Sequence, residues 1–381
     1  MQFRDLHRQY EAMKTEMDEA LLQSTRSGAY IMGPQVTDLE LQLAEYLSVK
    51  HCITCANGTD ALTLALRTWN IGKGDAVFVP DFTFFSSGEC PASLGATCVF
   101  VDVDEHTYNL DPVKLEEAIV KVQKEGKYTP KVVVAVDLFG LPADYNAIKP
   151  ICQKYGLLLL EDGAQGFGGE INGKKACSFG DISTTSFFPA KPLGCYGDGG
   201  AIFTDNDEWY ALLKSYAVHG KSGDDKYNNI RLGYNSRLDT IQAAILQVKF
   251  KAFKDYEVKD INRVADFYTE ELKLAGLDKK LVLPIIKSGF RSSWAQYTIQ
   301  LPPAVNRSEL QSKLKAQNIP SMIYYIKPMH LQGAFEGTDS AIADCPVTER
   351  LCKTVLSLPI HPYMEAKEVS LVVEALKSAL K

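Results

Sequence analysis

No apolar run in the 381-residue chain approaches the roughly 18 residues that a membrane-spanning helix needs. The N-terminal stretch MQFRDLHRQYEAMKTEMDEA is charged throughout and has no apolar signal-peptide core. Both absences point to a cytoplasmic protein without a membrane partner. A basic patch is also missing. Lys and Arg number 41 against 47 Asp and Glu, a net charge of −6 that repels nucleic acid and anionic lipid. There are no internal repeats and no low-complexity segments. A Walker loop, GxGxxG and HExxH are absent, and the stretch around Asp162 has no DxD, so no metal is expected and a nicotinamide-dependent oxidoreductase lacks its fingerprint. Cys52 and Cys55 form one CxxC without the second pair that zinc would want. The nine cysteines are scattered through apolar segments, where they read as buried free thiols.

What is present is an ordinary globular composition, 46% hydrophobic and 23% charged. At about 150 residues per domain the length allows two or three domains. From about residue 35 to 205, helix-like stretches such as VTDLELQLAEYLSV and DPVKLEEAIVKVQKEG alternate with continuous apolar runs. The runs are HCITCA, AVFVP, TCVFVDVD, VVVAVDLFG and LLLLED, with SFGDISTTSFF and GGAIFTD closing the region. Unbroken apolar strands alternating with helices predict an α/β domain with a mostly parallel sheet covered on both faces. After Asp239 comes one long amphipathic helical stretch, broken near its middle. Strand-like SWAQYTIQL and SMIYYI and two further helices follow it. The reading is a large domain over 1–247, including an N-terminal helical arm, and a smaller α+β domain over 248–381.

In a parallel sheet, ligands bind where the strands end, and three such places carry chemistry. ANGTDALTLAL runs from a strand through Gly58 and Thr59 into a helix, whose free amides suit a phosphate dianion. By itself, Asn-Gly-Thr-Asp is more often a turn and an N-cap. LLLLEDGAQ sets Glu161, Asp162 and Gln165 past a buried strand, where an acid either caps a helix or pairs with a ligand cation. SFFPAKPLGCYGDGG frames Lys191 with prolines at 189 and 192 and four glycines over 194–200. In that apolar frame desolvation lowers a lysine's pKa and favours a Schiff base, although a chance surface lysine is the plainer alternative. Together the three supply what pyridoxal 5′-phosphate needs: a phosphate cradle, a carboxylate for the pyridine nitrogen and a lysine.

The segments GTDAL, TFFSSGECPASLGATCVFVDVD, EDGAQ, SFGDISTTSFFPAKPLGCYGDGGAIFT and GYNSRLDTIQAAIL resemble the DegT/DnrJ/EryC1 sugar-nucleotide aminotransferases over nearly the whole chain. Within that family, CANGTDAL and SFFPxKPLGCYGDGGAIFT are most similar to the 3-aminotransferases of UDP-2-acetamido-2-deoxy-3-oxo-glucuronate. The resemblance implies a fold-type I pyridoxal-phosphate transferase, a homodimer with shared sites. Its substrates would be glutamate and a keto-sugar nucleotide, in cell-surface polysaccharide (O-antigen) biosynthesis. It implies that Lys191 binds the cofactor covalently and shuttles protons, that Asp162 pairs with the pyridinium nitrogen, and that Gln165 meets the ring's 3-oxygen. Phe84 would stack on the ring, and Gly58, Thr59 and Ser186 would hold the phosphate. Asn235 would reach the phosphate of the neighbouring subunit. Arg237 would hold a carboxylate, or else pair with Asp239 in its own chain. Tyr324 and Tyr325 would lie near the sugar, with Tyr324 standing where many relatives have His. Gly163 replaces the usual Ala of EDAAQ, a change expected to matter little. The competing expectations are amination at C4 or of a dTDP-sugar, and a non-catalytic pyridoxal-phosphate-binding regulator.

Overall fold

The computed structural model describes residues 1–223 and 227–380. Its strands are β1 (His51–Cys55), β2 (Asp75–Pro80), β3 (Thr97–Val101), β4 (Thr129–Val136) and β5 (Leu158–Asp162). Then come two short strands, β6 (Glu170–Ile171) and β7 (Lys174–Lys175), followed by β8 (Ile182–Ser186) and β9 (Gly200–Thr204). The last three are β10 (Phe290–Arg291), β11 (Tyr297–Gln300) and β12 (Val355–Leu358). A seven-stranded sheet takes the order β1-β9-β8-β5-β4-β2-β3. Only β9 runs antiparallel to its neighbours, so the expected mostly parallel α/β sheet is present.

The sheet is buried on both faces because its central strands carry consecutive apolar residues, at 76–79 in β2, 132–136 in β4 and 158–160 in β5. In β2, Val77 and Val79 face one core, with the helix Gly58–Thr68. Ala76 and Phe78 face the other, with the helices Pro112–Glu125 and Tyr145–Tyr155. Period-2 alternation thus separates two apolar faces. Each buried Val or Phe contributes about 1.5–3 kcal/mol.

The long helical stretch after Asp239 is Thr240–Ala252, a π-helical turn Phe253–Glu257, and Val258–Leu274. Its first part packs with Leu39 and Leu43 in the sheet domain, and its last part with Tyr297, Leu356 and Leu376. The second core is closed by the antiparallel pair β11–β12 and the helix Ala366–Ala379. The N-terminal helix Leu6–Ala12 makes its polar contacts with this C-terminal half: Arg8 with Glu368 at 2.8 Å and Gln9 with Glu257 at 2.7 Å.

One expected strand is not formed. SMIYYI contributes only an isolated bridge from Met322 to Ser357, while Ile323, Tyr324 and Tyr325 pack against the core of the sheet domain. Its apolar residues serve that contact rather than a ladder. All nine cysteines are buried and unpaired. Among the described residues no helix is long and apolar enough to cross a membrane.

Candidate active site

The C-terminal ends of β1, β2, β5 and β8 open on one cavity of about 890 Å³. Gly58, Thr59, Phe84, Asp162, Gln165, Ser186, Lys191, Tyr324 and Tyr325 all line it. Nine side chains or amides singled out in the sequence are therefore brought together.

After β1, the Asn57 side chain caps the helix Gly58–Thr68 by accepting from the Asp60 amide at 2.8 Å. The first amides of a helix have no partner within it, and here they belong to Gly58 and Thr59 at the cavity wall. A Cβ on Gly58 would lie 2.7 Å from Ser186 Cβ, so glycine is what lets this helix start close against the end of β8. Thr59 Oγ1 lies 2.8 Å from Ser86 Oγ, which adds a second hydroxyl to the rim. Amides at a positive helix end plus hydroxyls form an anion site.

Asp162 ends β5 and is 5% exposed. Its Oδ2 accepts from Ser87 Oγ at 2.8 Å and its Oδ1 from the Ala164 amide at 3.2 Å. Burial raises its pKa; the two hydrogen bonds and the charge of Lys191 oppose that rise. Lys191 sits on a loop tied by the bonds Lys191 N to Phe188 O at 2.8 Å and Cys195 N to Phe187 O at 2.7 Å. A Cβ on Gly194 would meet the Phe188 and Pro189 carbonyls at 2.6 Å, which explains one of the glycines that frame the lysine. Desolvation lowers the Lys191 pKa, Asp162 raises it, and the guanidinium of Arg4 adds to the lowering. Arg4 also donates to the Pro192 carbonyl at 3.4 Å. The result is an amine whose pKa is lowered beside a carboxyl whose pKa is raised.

Gln165 is oriented at both ends of its amide. Oε1 accepts from Phe139 N at 2.8 Å, and Nε2 donates to the Tyr325 hydroxyl at 3.1 Å. Phe84 is 54% exposed, its ring 6.5 Å from that of Tyr325, so an apolar face is free toward the cavity.

Asn235 and Arg237 are not brought to this cavity. Asn235 is exposed, and its Oδ1 accepts from Arg237 Nη2. Arg237 donates to Asn235, and Asp239 stands at the N-cap of the helix Thr240–Ala252. The segment is anchored by Ala56 N donating to Ser236 Oγ at 3.1 Å. Part of the polar loop that precedes it, residues 224–226, lies outside the described residues.

The chain matches the model of the DegT/DnrJ/EryC1/StrS aminotransferase family over residues 11–377. It belongs to that family. It is 41% identical over 378 residues to the UDP-2-acetamido-2-deoxy-3-oxo-D-glucuronate aminotransferase of Pseudomonas aeruginosa, covering 99% of each chain. It is 39% identical to a UDP-N-acetyl-3-dehydro-alpha-D-glucosamine 3-aminotransferase of Acidithiobacillus ferrooxidans, covering 99% of this chain and 97% of the relative. A solved DegT/DnrJ/EryC1/StrS aminotransferase from Brucella abortus superposes with a TM-score of 0.94 at 45% identity, covering 99% of each chain. The protein is a sugar aminotransferase, and its cofactor is pyridoxal 5′-phosphate. The residues fit that group: a cradle that a Cβ at Gly58 would fill, a buried acid, an exposed aromatic face and a desolvated amine share one cavity.

Two features escaped the sequence reading. Ser87 holds Asp162, yet in the sequence it is only a small residue in a turn; two adjacent hydroxyls opening the short helix Ser86–Ser93 were the available signal. Gly163 is no neutral departure. A Cβ there would run into Cys177 Sγ and stand 3.0 Å from the Thr184 carbonyl oxygen, so the usual alanine does not fit this turn.

Proposed function

We propose that the protein moves an amino group from glutamate to the C3 keto group of a UDP-linked 2-acetamido-3-oxo sugar of the glucuronate type, in cell-surface polysaccharide (O-antigen) biosynthesis. The observation that carries this reading is the meeting of Lys191 and Asp162 in a cavity large enough for cofactor and sugar. The C3 position draws support from the two relatives named above, whose substrates are 3-oxo sugars.

The bound cofactor supplies an aldehyde that takes up the amino group and a ring that accepts electrons while the proton moves. Lys191, half-buried and with its pKa lowered, would move the proton off the donor's Cα in the first half-reaction and, in the second, put a proton on the sugar carbon. Asp162 would hold a proton on the ring nitrogen, and Ser87 fixes its carboxyl by donating to Oδ2. Gln165, Phe84, Gly58, Thr59 and Ser186 line the same cavity; Gln165 would meet the ring oxygen, Phe84 would cover one ring face, and Gly58, Thr59 and Ser186 would hold the phosphate. Tyr324 and Tyr325 close the sugar side. In this reading two copies of the chain form a dimer in which Asn235 and Arg237 reach the partner's cavity; both lie outside the cavity of their own chain. Arg237 then offers a bidentate donor to a carboxylate.

The test converts the loaded enzyme to its amine form with glutamate and mixes it with a panel of keto-sugar nucleotides. The aldehyde absorbance is expected to return fastest with the UDP-linked 3-oxo-glucuronate. Return only with a C4-keto or dTDP-linked sugar moves the assignment there. No response to glutamate or to any sugar leaves a regulator in its place.

A further inference from the structure

Two carboxyls lie side by side beneath the turn that carries Asp162 and Gln165. Asp137 directly follows β4 and Glu161 lies in β5; both are 0% exposed. Strand register sets them next to each other, with Ala135 opposite Glu161 and Val136 opposite Asp162.

The two acids are treated differently by their surroundings. Glu161 accepts four donors: the amides of Cys177 at 2.5 Å, Phe179 at 2.6 Å and Gly180 at 3.1 Å, and Ser183 Oγ at 2.7 Å. Such a nest of N–H and O–H groups favours a carboxylate. Asp137 Oδ1 accepts from Ala143 N at 3.0 Å and from the Tyr145 hydroxyl at 2.7 Å. Its Oδ2 is buried and has no donor at all, and Glu161 is near enough for its charge to act on the carboxyl. Two adjacent anions in a dry site do not persist, and neither does a buried oxyanion without donors. A single proton on Asp137 Oδ2 removes both difficulties. The Glu161 carboxylate has room for it, since its Oε1 takes only the Cys177 amide.

We propose that Asp137 is a neutral carboxylic acid donating to Glu161, and that this acid pair sets the position of the turn 162–166. The turn is wrapped on the carboxyl. Asp137 N donates to Asp162 O at 3.1 Å. A Cβ on Gly166 would come within 2.8 Å of Asp137 Cγ, so the glycine lets the turn lie directly on the acid. Asp137 is thus a positioning residue, acting on the cofactor through Asp162 and Gln165.

The other groups that face the pair are Tyr145, Cys177, Lys149 and Asp162. Tyr145 and Cys177 are pushed well up by burial and by the neighbouring acids, so both stay neutral. Lys149 attracts Glu161 and Asp162 adds a further acid nearby. Burial and the Glu161 charge raise the Asp137 pKa. The native state therefore keeps a proton that the unfolded chain releases near pH 4. Native stability falls as pH rises from there to the folded pKa, by about ten-fold in the unfolding constant per pH unit.

The test compares the loaded wild type with Asp137→Asn and Asp137→Ala. Asn keeps the neutral donor and has no proton to lose. It should bind pyridoxal phosphate as the wild type does, and the ratio of wild-type to Asn unfolding constants should climb about ten-fold per pH unit above about pH 4. Ala should weaken cofactor binding about ten-fold or more, because the turn loses its support. A flat ratio across pH, or an Asn variant that loses cofactor as Ala does, overturns the proposal. Infrared spectroscopy serves if a variant folds poorly. The wild type at neutral pH should show the carbonyl band of a protonated carboxyl, and its absence would also overturn the assignment.

Discussion

Gln165 Nε2 donates to the Tyr325 hydroxyl at 3.1 Å, joining the end of β5 to the segment that runs in from the C-terminal half. The residue proposed to face the cofactor and the residue proposed to face the sugar are thus one hydrogen-bonded unit. Tyr325→Phe removes the acceptor and frees the amide of Gln165. Losing about 1 kcal/mol predicts a roughly five-fold weaker cofactor dissociation constant, with the fold stability unchanged. An unchanged constant, measured by fluorescence titration, would show that the bond is not used when the site is filled.

Lys191 has two opposing neighbours, Asp162 raising its pKa and Arg4 lowering it, with burial the largest influence. In the cofactor-free protein its amine is expected to react with an acylating reagent at a pH below the ordinary lysine range. Asp162→Asn removes the neighbour that raises it, so the Lys191 titration should move further down. Arg4→Met should move it up. Movement in the opposite direction in either variant would break the electrostatic picture. Lys191→Ala should keep the cofactor without a covalent link and lose about 10²- to 10⁴-fold or more in turnover.

Gly163→Ala places a methyl against Cys177 Sγ and 3.0 Å from the Thr184 carbonyl oxygen. Overpacking of this kind costs about 1–3 kcal/mol. Chemical denaturation should show that loss, and Gly163→Ala combined with Cys177→Ala should recover part of it. A single variant as stable as the wild type would mean that the turn yields freely.

The dimer proposal is decided by mixing. Lys191→Ala and Asn235→Ala subunits are each expected to be inactive or weak. In mixed dimers, one site carries both lesions and the other is intact, so activity should partly return. No recovery in verified mixed dimers would mean that each chain builds its site alone.

Much of this was legible in the sequence because it rests on local pattern. Continuous apolar strands announced the buried parallel sheet, and the strand ends located Gly58, Asp162, Ser186 and Lys191. What stayed hidden depends on pairing across the chain. Ser87 meets Asp162 over a separation of 75 residues, which no local motif encodes. The Asp137–Glu161 pair exists only through the register of β4 and β5. SMIYYI looked like a strand because its apolar residues are those of a packing contact, and periodicity does not distinguish the two uses. Gly163 looked harmless because the sulfur that forbids its methyl comes from Cys177, on the far side of β6 and β7.

The junction of Gln165 with Tyr325 also bears on the order of events in synthesis. The two residues are 160 positions apart, so the site has no complete wall until most of the chain has left the ribosome. Partial chains can form β1 to β5, whose contacts are nearer in sequence, but they offer only one side of the cavity. Tight capture of the cofactor therefore waits for the segment that carries Tyr325. Until then the exposed strand ends are the vulnerable surface, and the interval should be when chaperone demand is greatest.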